Sequence, residues 1–325
     1  MATAIGKKYD RPIFTIDDLN RIEDELEKDG EYIEVRDRQG NPLKTKNAFR
    51  GEGRSDPPPF AWAPRNQVNF GRERELDEWR AKEIEAFYGS VRVGSFQKWG
   101  PRVSASFAEG KMIKVIMDWE FSDECRNLID ALWSMDIPQV DKIIAFGGGS
   151  IAFNMTTYEL EHAMFLTVAR VLGEKQGGKK IPVYVQEPGY TAVCKEVLPK
   201  FGFNVIDCFG ARGLTMIDNN TVVLVNFPAF AIRQIVADLG VRPAAMFWKP
   251  EITEAEWEGL SKDDKDNWHD VDTAKTREMM HQYTRVDLPG AKITQTSFYK
   301  LFDVYDFIHR DVFIGSTWYV RNQTS

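Results

Sequence analysis

Between residues 140 and 250 the chain alternates short apolar runs with stretches whose apolar positions recur at helical spacing. Residues 143–146, 181–185, 204–209, 221–225 and 244–248 are apolar and partly β-branched, the pattern of buried strands. After the first run, Leu160, Ala163, Met164, Thr167, Val168, Val171 and Leu172 line one helix face, and Gly173 marks a stop. Val193, Cys194, Val197, Leu198 and Phe201 line a second helix, and Ile232, Ile235, Val236 and Leu239 a third. Strands alternating with helices predict an α/β fold, a Rossmann-like parallel sheet flanked by helices with right-handed crossovers.

The flanks are less regular. Thr15 and Asp18 have capping-box spacing ahead of a helix over 16–28, and residues 31–36 alternate like a strand. Residues 47–71, with Pro57, Pro58, Pro59 and Pro64, read as a linker or an ordered arm. A charged helix is predicted over 72–88, a strand over 112–117, and a helix carrying Cys125, Leu128, Ile129 and Leu132 that ends before Pro138. After Pro250, helices are predicted over 254–260 and 274–283. Phe298, Leu301, Phe302, Tyr305 and Ile308 mark an apolar segment at 297–309 that should pack back on the chain. The expected division is a mixed N-terminal region at 1–139, the Rossmann-like domain at 140–250 and a helical C-terminal extension at 251–325.

At 325 residues, 43% hydrophobic and 28% charged, the composition is that of a globular chain. The net charge of −7 argues against binding nucleic acid by bulk electrostatics but leaves room for a local basic patch. Cys125, Cys194 and Cys208 are odd in number and widely spaced, so they read as free thiols. His162, His269, His281 and His309 have no metal-ligand spacing, so no metal is expected. Neither a membrane span nor a signal-peptide core is apparent, and a soluble cytosolic protein is the expectation.

The first strand runs into Gly147, Gly148, Gly149 and Ser150. Gly147, Gly149 and Ala152 fit a dinucleotide-binding turn, with Glu187 as the ribose-binding acid, although Glu187 lies beyond the usual spacing of about 20 residues. The lysine of a P-loop is missing. Ser150 reads either as a helix-start hydroxyl or as a nucleophile beside bare glycine N–H groups and a positive helix end. Glu187, Tyr190 or His162 could act as its base. No Gly-x-Ser-x-Gly elbow is present, which disfavours an ordinary hydrolase. Glu187 and Tyr190 follow the second strand and Asn226 the fourth, where such sheets bind ligands. Glu159, Glu161 and His162 read as a solvated helix face.

Several stretches carry a family resemblance. Ile-Ile-Ala-Phe-Gly-Gly-Gly-Ser-Ile at 143–151, Val-Tyr-Val-Gln-Glu-Pro at 183–188, Phe-Gly-Phe-Asn-Val at 201–205 and Val-Leu-Val-Asn-Phe-Pro at 223–228 resemble the sensitivity-to-red-light-reduced family. Glu187 stands where that family has Asp, and Ala229-Phe230 where it often has a His-Cys pair. The chain is most similar to a fungal branch, the arginine-containing cyclodipeptide synthases of secondary metabolism. Gly148-Gly149-Ser150 and Tyr184-Val-Gln-Glu187-Pro188 resemble elements of the bacterial cyclodipeptide synthases, the second with altered spacing.

The resemblance implies an enzyme that joins two aminoacyl groups, one of them arginyl, from aminoacyl-tRNAs into a diketopiperazine, with no cofactor. Ser150, Glu187 and Tyr190 would be catalytic. Gly147, Gly148, Gly149, Asn154, Tyr184 and Asn226 would bind substrate, and Arg170, Lys175, Lys179, Lys180, Lys195 and Lys200 would meet tRNA phosphates. Two other readings stand beside it: a non-enzymatic regulatory or adaptor domain, and a Rossmann-type nucleotide-cofactor enzyme.

Overall fold

The computed structural model describes residues 12–36, 41–47, 50, 62–70, 91–207, 209–225, 230–259, 261, 270, 272–288 and 316–323. The first helix, α1 (Ile16–Glu27), begins where the Thr15 hydroxyl accepts from the Asp18 N–H. Strands β1 (Tyr32–Arg36) and β2 (Pro42–Lys46) pair antiparallel, as do β3 (Trp62–Phe70) and β4 (Val91–Trp99). Helices α2 (Ala105–Glu120) and α3 (Asp123–Ser134) are capped by the hydroxyls of Ser104 and Ser122.

Next come β5 (Lys142–Phe146), α4 (Thr156–Lys175), β6 (Val183–Gln186), α5 (Ala192–Val197) and β7 (Phe203–Val205). They are followed by α6 (Arg212–Thr215), β8 (Thr221–Val225), α7 (Ile232–Leu239), β9 (Ala245–Trp248) and α8 (Glu254–Gly259). The last elements are α9 (Ala274–Met280), β10 (Tyr283–Val286) and β11 (Thr317–Arg321).

The central sheet has seven strands in the order β7-β6-β5-β8-β9-β11-β10. The five strands from β5 to β9 pair in parallel; β11 joins β9 antiparallel and β10 joins β11 the same way. Alternate residues of each strand face opposite layers. Ile143 and Ala145 meet α2, α3, α4 and α5 in one core, while Ile144 and Phe146 meet α1, α6, α7 and α9 in the other. Burial on both faces explains why the strands read as continuous apolar runs. Among the described residues no helix is long and apolar enough to cross a membrane.

Four expectations change. Residues 112–117 lie inside α2, with Met112 and Val115 buried and Ile113 and Met117 exposed, so the apolar run belongs to a helix. The third strand stops at Val205, short of residue 209. The helix predicted over 274–283 ends at Met280, and Tyr283 opens a strand. The C-terminal region is therefore not purely helical: β10 and β11 extend the sheet. The predicted helix at 72–88, the apolar segment at 297–309, and Cys208, Asn226, His269 and His309 lie outside the described residues.

Candidate functional site

Strands β5 and β6 run parallel with Phe146 opposite Gln186. The glycine turn and Glu187 therefore leave adjoining strands at the same, carboxyl edge of the sheet. The chain moves outward from β5 to β6 and β7, then returns to β8 on the other side of β5. That reversal is the topological switch point where such sheets bind ligands, and the glycine turn stands beside it.

The glycines serve close packing. Gly147 and Gly149 have φ of 75° and 66°, the left-handed region that glycine enters without strain. A Cβ on Gly149 would stand 2.1 Å from Cδ1 of Tyr158, and one on Gly148 would meet Phe165 at 3.1 Å and His162 at 3.2 Å. Tyr158, His162 and Phe165 share one face of α4 at helical spacing, so that face rests on the turn.

Ser150 does not sit at the start of α4. The turn passes into a 3₁₀ segment, Ile151–Phe153, then Asn154 in the left-handed conformation, and α4 begins only at Thr156. Ser150 is 2% exposed, caps no N–H, and has its hydroxyl 3.0 Å from the Cys194 sulfur. The Gly147 N–H donates to the Gln186 carbonyl at 3.2 Å. Of the expected bare glycine N–H groups, that of Gly147 is thus paired, and the serine is a buried hydroxyl facing a thiol, not the first residue of α4.

Glu159, Glu161 and His162, predicted to be solvated, are buried. Helix α2 covers this side of α4 and brings Lys111 Nζ to 3.1 Å from Glu159 Oε1. Burial raises the Glu159 carboxyl above its usual range, with Lys111 acting against that shift. His162 Nδ1 lies 2.6 Å from the Tyr158 carbonyl and Nε2 2.7 Å from the Tyr190 hydroxyl. Burial lowers the imidazole pKa to about 4, so the ring is neutral near pH 7. A carbonyl can only accept, so Nδ1 carries the proton and Nε2 accepts from the Tyr190 O–H.

Glu187 is half-buried, and its Oε1 accepts from the Gly189 N–H at 2.7 Å. Burial and then the charges of Glu187 and Glu161 push the Tyr158 phenol up to about 12. Burial and then Glu187 lead the upward shift of Tyr190, to which Glu161 also contributes. Glu187 and Glu161 thus act on both tyrosines, and Arg102 opposes them at Tyr158. Arg102, exposed at the rim, lies 5.6 Å from the ring centroids of both Trp99 and Phe153.

The other predicted residues do not converge here. Tyr184 lies mid-strand, opposite Ile144, and packs on the second core. Asn154 is exposed and serves the turn after the 3₁₀ segment. Lys175 Nζ donates to the carbonyls of Leu132 at 2.8 Å, Trp133 at 3.1 Å and Met135 at 2.6 Å, closing the end of α3. Arg170 pairs with Glu174 at 3.3 Å, Lys179 with Asp141 at 2.6 Å, Lys195 with Asp207 at 3.2 Å and Lys200 with Glu109 at 2.7 Å. Lys180 is exposed. Lys175, Lys179 and Lys180 lie near the amino edge of the sheet, away from the glycine turn, as the contact of Lys179 with Asp141 at the start of β5 shows. These cations are dispersed and mostly paired, so they form no single basic patch.

Sequence reading missed Tyr158 and Arg102. Tyr158 was recoverable, because it precedes His162 by one helical turn on the face that meets the glycines. Arg102 had no signal, since its ring partners come from β4 and the 3₁₀ segment.

Comparison with known proteins gives one family: the SRR1 domain profile matches residues 123–286, half of the chain. That span runs from α3 to β10 and includes the glycine turn, α4 and the Glu187 turn. No curated protein matches the chain, and no solved structure does.

Proposed function

The chain belongs to the SRR1 domain family, and from that premise we propose that it is a tRNA-dependent cyclodipeptide synthase that holds the cationic end of an arginyl group beside Glu187. The observation that carries this reading is the half-buried Glu187 carboxylate, held by the Gly189 N–H at the carboxyl edge of β6, on the strand beside the glycine turn. A guanidinium presents a planar fork of donors that suits carboxylates. The similarity to the fungal arginine-containing synthases supports the same substrate class.

The aminoacyl ester is already activated, so the reaction needs no ATP. The α-amine of one aminoacyl group attacks the ester carbonyl of the other. A C–N bond forms, the ester C–O bond breaks, and the amine proton leaves with the tRNA hydroxyl. Repeating the exchange within the dipeptidyl ester closes the ring. Ser150 is buried against Cys194, and His162 is committed to Tyr158 and Tyr190. The reading therefore uses direct aminolysis and not a Ser150 ester.

The dinucleotide reading fares worse on the same geometry. The Tyr158 ring occupies the space over Gly149 that a pyrophosphate would need, and the neighbouring carboxylates repel phosphate. Mass spectrometry of the medium of a host expressing the full chain tests the proposal. An arginine-containing diketopiperazine is expected. Its absence, with no tRNA co-purifying, overturns the synthase reading, and a protein captured in its place would favour the adaptor.

A further inference from the structure

We infer that His162 is the positioning residue of this site: a neutral imidazole, protonated on Nδ1, that pins Tyr190 and thereby the turn that presents Glu187. The inference rests on the proposed function only in taking Glu187 as the group that meets the cation.

Three pieces of chain meet at this ring. Its Nδ1–H donates to the Tyr158 carbonyl in the first turn of α4, and its Cε1 lies against Gly148 in the glycine turn. Its Nε2 accepts from Tyr190, which closes the turn after β6. Within that turn the Tyr190 N–H donates to the Glu187 carbonyl at 3.1 Å, and the Gly189 N–H donates to the Glu187 carboxylate at 2.7 Å. The Glu187 side chain is therefore held by its own turn, and the turn is anchored by a tyrosine only 3% exposed. The edge of Phe203 closes on the imidazole at 5.3 Å between centroids, and Phe165 lies at 5.8 Å. With apolar rings on these sides, the two nitrogens have one donor and one acceptor role to fill, and a second proton would turn Nε2 into a donor and break the bond it accepts from Tyr190.

The donor direction has a chemical consequence. The Tyr190 hydroxyl proton is directed at His162, so its oxygen keeps only lone pairs for other partners. Tyr190 is 3% exposed, so this acceptor is internal, and Glu187 is the group of the turn that meets a cation. An imidazole with the opposite tautomer would lose its bond to the Tyr158 carbonyl and turn the Tyr190 proton outward.

The test needs no ligand. In the intact protein, ¹⁵N NMR of the imidazole should show one neutral tautomer with the proton on Nδ1. Amide exchange is then compared between wild type, Tyr190→Phe and His162→Leu. The Gly189 and Tyr190 amides should exchange about fivefold faster in both variants, the effect of one lost hydrogen bond, with β5 and β8 unchanged. His162→Gln, which keeps an acceptor for Tyr190, should restore part of the protection. A proton on Nε2, or exchange that is unchanged at Gly189 or raised uniformly over the sheet, overturns the inference. Failure of the synthase reading is seen separately, as absence of diketopiperazine from wild type.

Discussion

The Tyr158 ring lies against the Cα of Gly149, leaving no room for any side chain there. Gly149 also has φ of 66°. Gly149→Ala therefore combines a strained backbone with overpacking, and should cost about 2–4 kcal/mol of stability. Urea denaturation measures the loss. A midpoint near that of wild type would mean that Tyr158 leaves the turn easily.

Ser150→Ala should fold and keep product formation near the wild-type rate, because the hydroxyl faces the Cys194 thiol and not a substrate. The loss of stability should be about 1 kcal/mol, one modest hydrogen bond. The decisive measurement is peptide mapping after incubation with labelled aminoacyl-tRNA. Label on the peptide containing Ser150 would restore a covalent mechanism.

Glu187→Gln removes the charge but keeps an oxygen for the Gly189 N–H, so the turn should survive. Binding of arginine methyl ester, read by calorimetry, should weaken by about 1.5–3 kcal/mol, the range for a hydrogen bond to a charged group. Equal affinity in the variant would remove Glu187 from the cation site.

Arg233 is a structural charge at the other side of the sheet. It is 1% exposed, with Nε 3.0 Å from Asp270 and Nη1 2.5 Å from Asp272. Arg233→Ala leaves two buried carboxylates without their cation and should cost about 3–5 kcal/mol. Arg233→Lys keeps the charge without the planar fork and should fall between. Chemical denaturation of the three proteins gives the order.

The buried His162 predicts a loss of stability in acid. Its folded pKa, about 4, lies below the unfolded value of 6.5. Between these values the unfolded chain binds the proton and the folded one does not, so stability falls as pH drops. From pH 7 to 4.5 the loss from this group should be about 2 kcal/mol. His162→Gln should lack that part of the acid slope; an identical slope would show that other groups produce it.

The sequence alone placed the five parallel strands and the glycine turn, because strands buried on both faces must be apolar throughout and a left-handed turn selects glycine. It also brought Glu187 to the turn, since parallel strands end at a common edge. It could not tell that 112–117 is helical: a short apolar run suits either period, and only the Ser104 cap and the packing of Met112 and Ile116 into the core that holds α4 decide it. Nor could it tell that Glu159, Glu161 and His162 are buried. One helix has a single apolar stripe in its sequence, but α4 is covered from two sides, by the sheet and by α2. Whether a polar residue faces water depends on that second cover, and Lys111, more than forty residues earlier, is what makes the burial of Glu159 tolerable. Ser150 shows the same limit. Its place after the glycines was legible, but its direction was set by Cys194 on α5, a contact that forms only when the helix after β6 docks against the turn after β5.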